Sequence, residues 1–128
     1  MPAAEVIVAG AGPAGLAAAA EAHRRGLLVE VLEAAPSVGA SWRQHYDRLH
    51  LHTTRRLSSL PGRPIPNRMG RWVGRDDFIV YLNDYARQAG LDISFGTRVE
   101  RIERSPAGWC LQTSQGLLET PQVVVATG

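Results

Sequence analysis

Near the start of the chain, Gly10-Ala11-Gly12-Pro13-Ala14-Gly15 has the spacing G-x-G-x-x-G, and Glu33 follows 18 residues after Gly15. This arrangement can hold a diphosphate without a charged side chain. Gly10 would make the tight turn, Gly12 would let the backbone approach a pyrophosphate with no Cβ in the way, and Gly15 would let a helix pack close to a strand. The first helical turn would add free N–H groups and the positive end of a helix dipole. Glu33 would accept hydrogen bonds from the two hydroxyls of an adenosine ribose. Its charge disfavours a 2′-phosphate, so NADP is not expected at this site. The glycine pattern alone is a weak signal; its neighbours give it weight.

Those neighbours are the elements that must position the loop. Val6 to Ala9 is a continuous apolar run led by β-branched residues, as in a strand buried on both faces of a parallel sheet. Pro13 suits the first helical position, and Gly26 stands just past Arg25, where a left-handed cap falls. Leu28 to Leu32 reads as a second strand. From Ala34 to Gly74, proline and glycine recur and no periodicity of 2 or 3.6 is sustained, which predicts an irregular, functional excursion. Helical spacing returns from Arg75 through Phe78, Tyr81, Leu82, Tyr85 and Ala89, with Asp76 and Asp77 in the first turn and Gly90 as terminator. Leu91 to Phe95 is a short strand candidate. Three alternating runs between residues 98 and 120, separated by turn residues, predict an antiparallel meander. Val123 to Ala126 reads as another buried strand. The expected class is α/β: a Rossmann-like FAD/NAD(P)-binding fold in one domain over residues 1–128, a parallel sheet plus a three-stranded meander, incomplete at its C-terminus.

Composition removes several kinds of chemistry. The chain has 128 residues, enough for one sizeable core. All 14 basic side chains are arginine, which excludes Schiff-base chemistry and a P-loop lysine. Cys110 is the only cysteine, so an internal disulfide, a redox pair and a cysteine-built zinc site are excluded. The uncharged run Val6 to Ala20 is too short to span a bilayer and no positive residue precedes it, so a soluble, cytoplasmic chain is expected. Basicity is concentrated in one segment. Between Ser41 and Arg75 lie eight arginines and one acid, Asp47; the rest of the chain has six arginines and eleven acids.

The glycine loop does not separate FAD from NAD. A meander followed by Val125-Ala126-Thr127-Gly128 resembles the two-dinucleotide-domain flavoproteins, whose first such fold binds FAD. Gly39-Ala40-Ser41-Trp42, Tyr46-Asp47-Arg48-Leu49-His50-Leu51-His52-Thr53, Leu60-Pro61-Gly62 and Pro64-Ile65-Pro66 are similar to the class B flavin-dependent monooxygenases. The likeness is strongest to the indole-pyruvate monooxygenases of plants and their bacterial relatives, and it covers nearly the whole chain. Disulfide reductases of the same fold carry cysteines near Gly39 to Tyr46, where this sequence has none.

The resemblance implies that the backbone at Val99 meets the adenine edge and that Ser41 and Trp42 line the pyrophosphate and ribityl region. Leu51-His52-Thr53 would approach the isoalloxazine, and Thr127 and Gly128 would pass close to the flavin. It also implies an enzyme that reduces FAD with NADPH and oxygenates a small organic substrate through a flavin (hydro)peroxide. The hard chemistry is the cofactor's, so no acid–base catalyst is nominated. The family's Phe-x-Gly-x-x-x-His motif, second glycine fingerprint and returning strand lie downstream of the Ala-Thr-Gly strand. NADPH is therefore expected only for a complete enzyme, with the NADPH domain absent here and a C-terminal half as the missing partner. The alternatives are a non-catalytic FAD- or ADP-binding module or remnant, and a basic binding protein that merely keeps the fold.

Plainer readings cover the remaining residues. His23 is a polar helix position, and His45 and His50 are as suited to satisfying loop backbone as to touching a ligand. No histidine spacing suggests a metal site. Trp72, Trp109, Phe78 and Tyr85 are expected in the core. The arginine segment lacks a nucleic-acid-binding motif; solvated or internally paired arginines, or arginines facing an NADPH phosphate, are the better expectation.

Overall fold

The computed structural model describes residues 3–128. Its main sheet contains β1 (Val6–Ala9), β2 (Val29–Leu32), β3 (Ile93–Ser94) and, last in the chain, the strand Gln122–Val125. Between β3 and that strand, β4 (Val99–Ser105), β5 (Gly108–Thr113) and β6 (Gly116–Thr120) form a separate antiparallel sheet, which makes the last strand β7. The main sheet is wholly parallel in the order β3-β2-β1-β7, with Val6 opposite both Val29 and Gln122. Parallel neighbours require crossovers. Helix α1 (Pro13–Arg24) links β1 to β2, and the long crossover from β2 to β3 contains the single turns α2 (Ala40–Arg43) and α3 (Arg55–Ser58) and the four-turn α4 (Arg75–Gln88).

The apolar run of β1 is continuous because both of its faces are covered. Val6 and Val8 pack with Leu16 and Ala19 of α1 and with Phe78, Tyr81, Leu82 and Tyr85 of α4. Ile7 faces the opposite way and packs with Leu32 and Leu111, flanked by Ile102, Trp109 and Leu118 of the meander. Each such side chain contributes about 1.5–3 kcal/mol by leaving water. Thr120 fastens the layers: its hydroxyl donates to the Ala4 carbonyl at 3.1 Å and reaches the Gln122 carbonyl at 3.2 Å. Pro13 opens α1, and Gly26 and Gly90 follow the two long helices with positive φ, as their spacing predicts.

Two sequence expectations need correction. The last strand is not a buried one: β7 pairs only with β1, and Val125 is 65% exposed because nothing among the described residues covers its far side. Trp72 is not core either; it is 49% exposed, with the Arg71 guanidinium 5.5 Å from its ring centre. Phe78 and Tyr85 are buried as expected, and Trp109 is half-buried beneath Arg104.

The excursion lacks long elements but is well tied. Val38, Ile65, Met69 and Val73 insert into the core beside α4. The Tyr81 hydroxyl accepts from the Leu60 N–H at 2.8 Å and donates to the Arg63 carbonyl at 2.6 Å, while the Tyr85 hydroxyl donates to the Pro61 carbonyl at 2.8 Å. Two of its arginines and the first residue of α4 hold backbone carbonyls: Arg43 that of Val38, Arg63 that of Gln88, and Arg75 that of His45. His50 Nδ1 donates to the Arg48 carbonyl at 2.8 Å.

Candidate dinucleotide-binding site

The loops leaving the C-terminal ends of β1, β2 and β7 converge, which is where open parallel sheets bind ligands. Between them lies a cavity of about 560 Å³ lined by Gly10 to Ala14, Glu33 to Ala35, Gly39 to Ser41, Gln44 and Ala126 to Gly128. It continues into a recess of about 350 Å³ lined by Leu32, Glu33, Thr97, Arg98, Val99 and Thr127. Gly10, Glu33, Ala34 and Thr127 border both spaces, so together they form one groove.

The three glycines have three separable roles. A Cβ on Gly10 would lie 2.1 Å from the Ala126 oxygen, and its φ of +111° is a conformation that L side chains rarely adopt. A Cβ on Gly15 would lie 1.9 Å from the Gly10 oxygen, so this position seats α1 on the loop. A Cβ on Gly12 would meet nothing within 4 Å. It would project into open space beside the groove, where the backbone is left accessible to a ligand.

The electrostatics suit an anion near α1 and hydroxyls near β2. No acidic residue lies in the first turn of α1 and no side chain caps it. The N–H groups of Ala14 and Gly15, at the first turn, have no intrahelical acceptor. Glu33 accepts from the Ala11 N–H at 2.9 Å through one oxygen and from the Ala35 N–H at 2.8 Å through the other. Each oxygen keeps one further lone pair for an external donor. The carboxylate is thus oriented by the glycine loop itself, which fixes its position relative to the N-terminus of α1.

The other sequence-nominated residues divide. Ser41, Thr127 and Gly128 line the main cavity, and Val99 lines the recess. Trp42 lines neither; its ring packs edge-on against Phe78 at 4.9 Å and beside His45 at 5.4 Å, anchoring α2 to the core. His52 and Thr53 are exposed and also lie outside the groove, with Thr53 bonded to Ser58. Sequence reading missed Gln44 and Arg98. Gln44 lies three residues after Ser41, on the next turn of the chain, so helical spacing was the available signal. Among the described residues no three His, Cys, Asp or Glu side chains converge as metal ligands.

The family model described as pyridine nucleotide-disulphide oxidoreductase matches residues 7–128. The chain belongs to this family. Within that family its likeness is to flavin-dependent monooxygenases, as the Ser-Trp and Tyr-Asp-Arg-Leu pieces imply. It is 38% identical over 126 residues to indole-3-pyruvate monooxygenase YUCCA1 of Oryza sativa subsp. japonica, covering 95% of this chain and 31% of the relative. The flavin-containing monooxygenase from Stenotrophomonas maltophilia superposes with a TM-score of 0.90 at 31% identity, over 100% of this chain and 39% of that one. A bacillithiol disulfide reductase from Staphylococcus aureus reaches a TM-score of 0.91 at 22% identity, again over 100% of this chain and 39% of that one, which shows a shared fold. This family member spans about a third of the length of the curated relatives it matches. Its one cysteine, Cys110, sits on β5 and does not line the groove.

Proposed function

We propose that the chain is the FAD-binding portion of an NAD(P)H-dependent flavoprotein monooxygenase that acts on a small organic substrate. The observation that carries this reading is the double anchoring of Glu33 to Ala11 and Ala35, at the border of a groove whose glycine loop leaves its backbone open at Gly12. The groove fits the group. Amides at the α1 N-terminus and the Gly10-to-Gly15 loop would hold the pyrophosphate, with Pro13 and Ala14 forming the turn that presents it. Glu33 would hold the adenosine ribose, the backbone at Val99 the adenine, Ser41 and Gln44 the opposite wall, and Thr127 and Gly128 the end nearest the flavin. When bound, FAD would supply hydride acceptance from a nicotinamide and activation of oxygen. The chain's own residues position the dinucleotide and cover its adenosine end.

Trp42 would act through packing rather than contact, and His52 and Thr53 have no assigned contact. The lone, half-buried Cys110 supports a reducing compartment, so the cytoplasm is the proposed location.

Purified protein should be yellow and carry a flavin spectrum; a colourless protein that ignores added FAD would overturn the reading. Removing the ribose acceptor with Glu33→Ala should weaken FAD retention about tenfold or more, measured by fluorescence titration. NADPH consumption under air distinguishes a catalytic chain from a flavin-binding module, for which no consumption is the expected outcome.

A further inference from the structure

We propose that the arginine-rich face of the excursion docks on an anionic phospholipid surface. Of the eight arginines from Ser41 to Arg75, three, Arg43, Arg63 and Arg75, are engaged internally. Among the described residues, Arg48, Arg55, Arg56 and Arg68 make no ion pair or side-chain hydrogen bond, and Arg71 only overlies Trp72. The acids flanking this stretch in sequence, Asp47 and Asp76, both pair with Arg75, at 3.2 Å and 2.9 Å. No acid lies between them. None of Arg48, Arg55, Arg56, Arg68 and Arg71 is therefore neutralised by an ion pair among the described residues.

Backbone pairing brings the charge and two exposed apolar side chains together. The Arg55 N–H donates to the Arg71 carbonyl at 2.7 Å, which sets the start of α3 beside Arg71 and Trp72. Leu57, on α3, is 77% exposed, and Trp72 is 49% exposed. Guanidinium groups pair bidentately with phosphate, and each one near an anionic leaflet adds to the attraction. Leu57 and Trp72 gain nothing from phosphate oxygens alone, but they gain from the boundary between headgroups and acyl chains. A single nucleic-acid strand gains from an open aromatic face for stacking, and one face of Trp72 is already under Arg71; a duplex presents phosphates but no apolar layer for Leu57. No described helix is long and apolar enough to cross a membrane, so the association would be peripheral and reversible.

The test is co-sedimentation of the full chain with phosphatidylcholine vesicles, with and without about one-third phosphatidylserine. Binding is expected only to the anionic vesicles, with loss on raising salt to about 0.5 M. Arg56→Gln and Arg71→Gln should each weaken it roughly fivefold. Leu57→Ser should weaken it at unchanged salt dependence. Arg101→Gln and Arg104→Gln, each made singly on the meander, are the charge-matched controls and should bind as the parent does. Far-ultraviolet circular dichroism of each variant confirms that it is folded. Failure to bind anionic vesicles, equal binding to neutral ones, or equal loss in the controls would overturn the proposal. So would tighter binding to duplex DNA at equal phosphate concentration with Leu57→Ser without effect, which would make nucleic acid the partner.

Discussion

The glycine loop and the arginine-rich excursion adjoin the same core, but they are held in shape by different means. In the loop, backbone packs directly on backbone: Gly10 lies against Ala126 and Gly15 against Gly10, at separations that leave no room for a methyl group. In the excursion, side chains reach out to hold backbone: Tyr81, Tyr85, Arg63 and Arg75 each fasten a carbonyl or amide far along the chain. The first design is brittle to added atoms and the second to removed ones. A protein can therefore keep the loop through glycine identity alone, whereas the excursion depends on partners supplied by α4.

The sharpest test of that contrast is Gly15→Ala. A Cβ lying 1.9 Å from the Gly10 oxygen forces α1 off the sheet; a loss of about 4 kcal/mol or more is expected, seen as insolubility or absence of a cooperative thermal transition. Gly12→Ala, only three residues away, should melt like the parent while binding FAD roughly tenfold more weakly, because its Cβ meets ligand space rather than backbone. Equal instability of the two variants would erase the distinction between seating and access.

Next in size is Tyr81→Phe. It leaves the Leu60 amide and Arg63 carbonyl without their partner, at a cost of about 2 kcal/mol and a fall in Tm of roughly 8 °C. Tyr85→Phe breaks one bond, to Pro61, and should cost about half as much. A smaller effect is the response to alkali. Burial holds both phenols above their ordinary range; at Tyr81 the Leu60 amide partly opposes this, while at Tyr85 the neighbouring Tyr81 reinforces it. The folded state thus retains these protons more tightly than the unfolded chain. Their stabilising contribution is complete below about pH 10 and falls as pH rises from there through the raised folded values. Denaturant midpoints measured from pH 8 upward should drop in the parent and flatten in the Tyr81→Phe, Tyr85→Phe double variant.

The same contrast explains how much could be read in advance. The β-α-β unit, α4 and the meander follow from local spacing, since a strand, a first-turn proline and a terminal glycine are each specified within a few residues. Glu33 was legible by its distance from Gly15, although its anchoring by Ala11 and Ala35 was not. The excursion was not legible because its order comes from bonds spanning 18 to 30 residues, such as Tyr81 to Arg63 and Arg75 to His45. No periodicity records those partnerships. Trp72 was misplaced for a related reason: composition favours burying tryptophan, but Arg71 covers its ring instead. The exposure of β7 depends on what lies beside an edge strand, which an apolar run alone does not encode.

The register of the main sheet also bears on the order of events during synthesis. Val6 pairs with Gln122 and Ala9 with Val125, so the central strand meets one of its two neighbours only after 116 further residues have been made. Until then one edge of β1 has no partner, and the turn at Gly10 has no Ala126 to rest on. The groove is therefore completed only once residues 122–128 have been made, by contacts between segments more than 110 residues apart in sequence. Such non-local closure slows folding and lengthens the time for which apolar strand edges stay open to other chains.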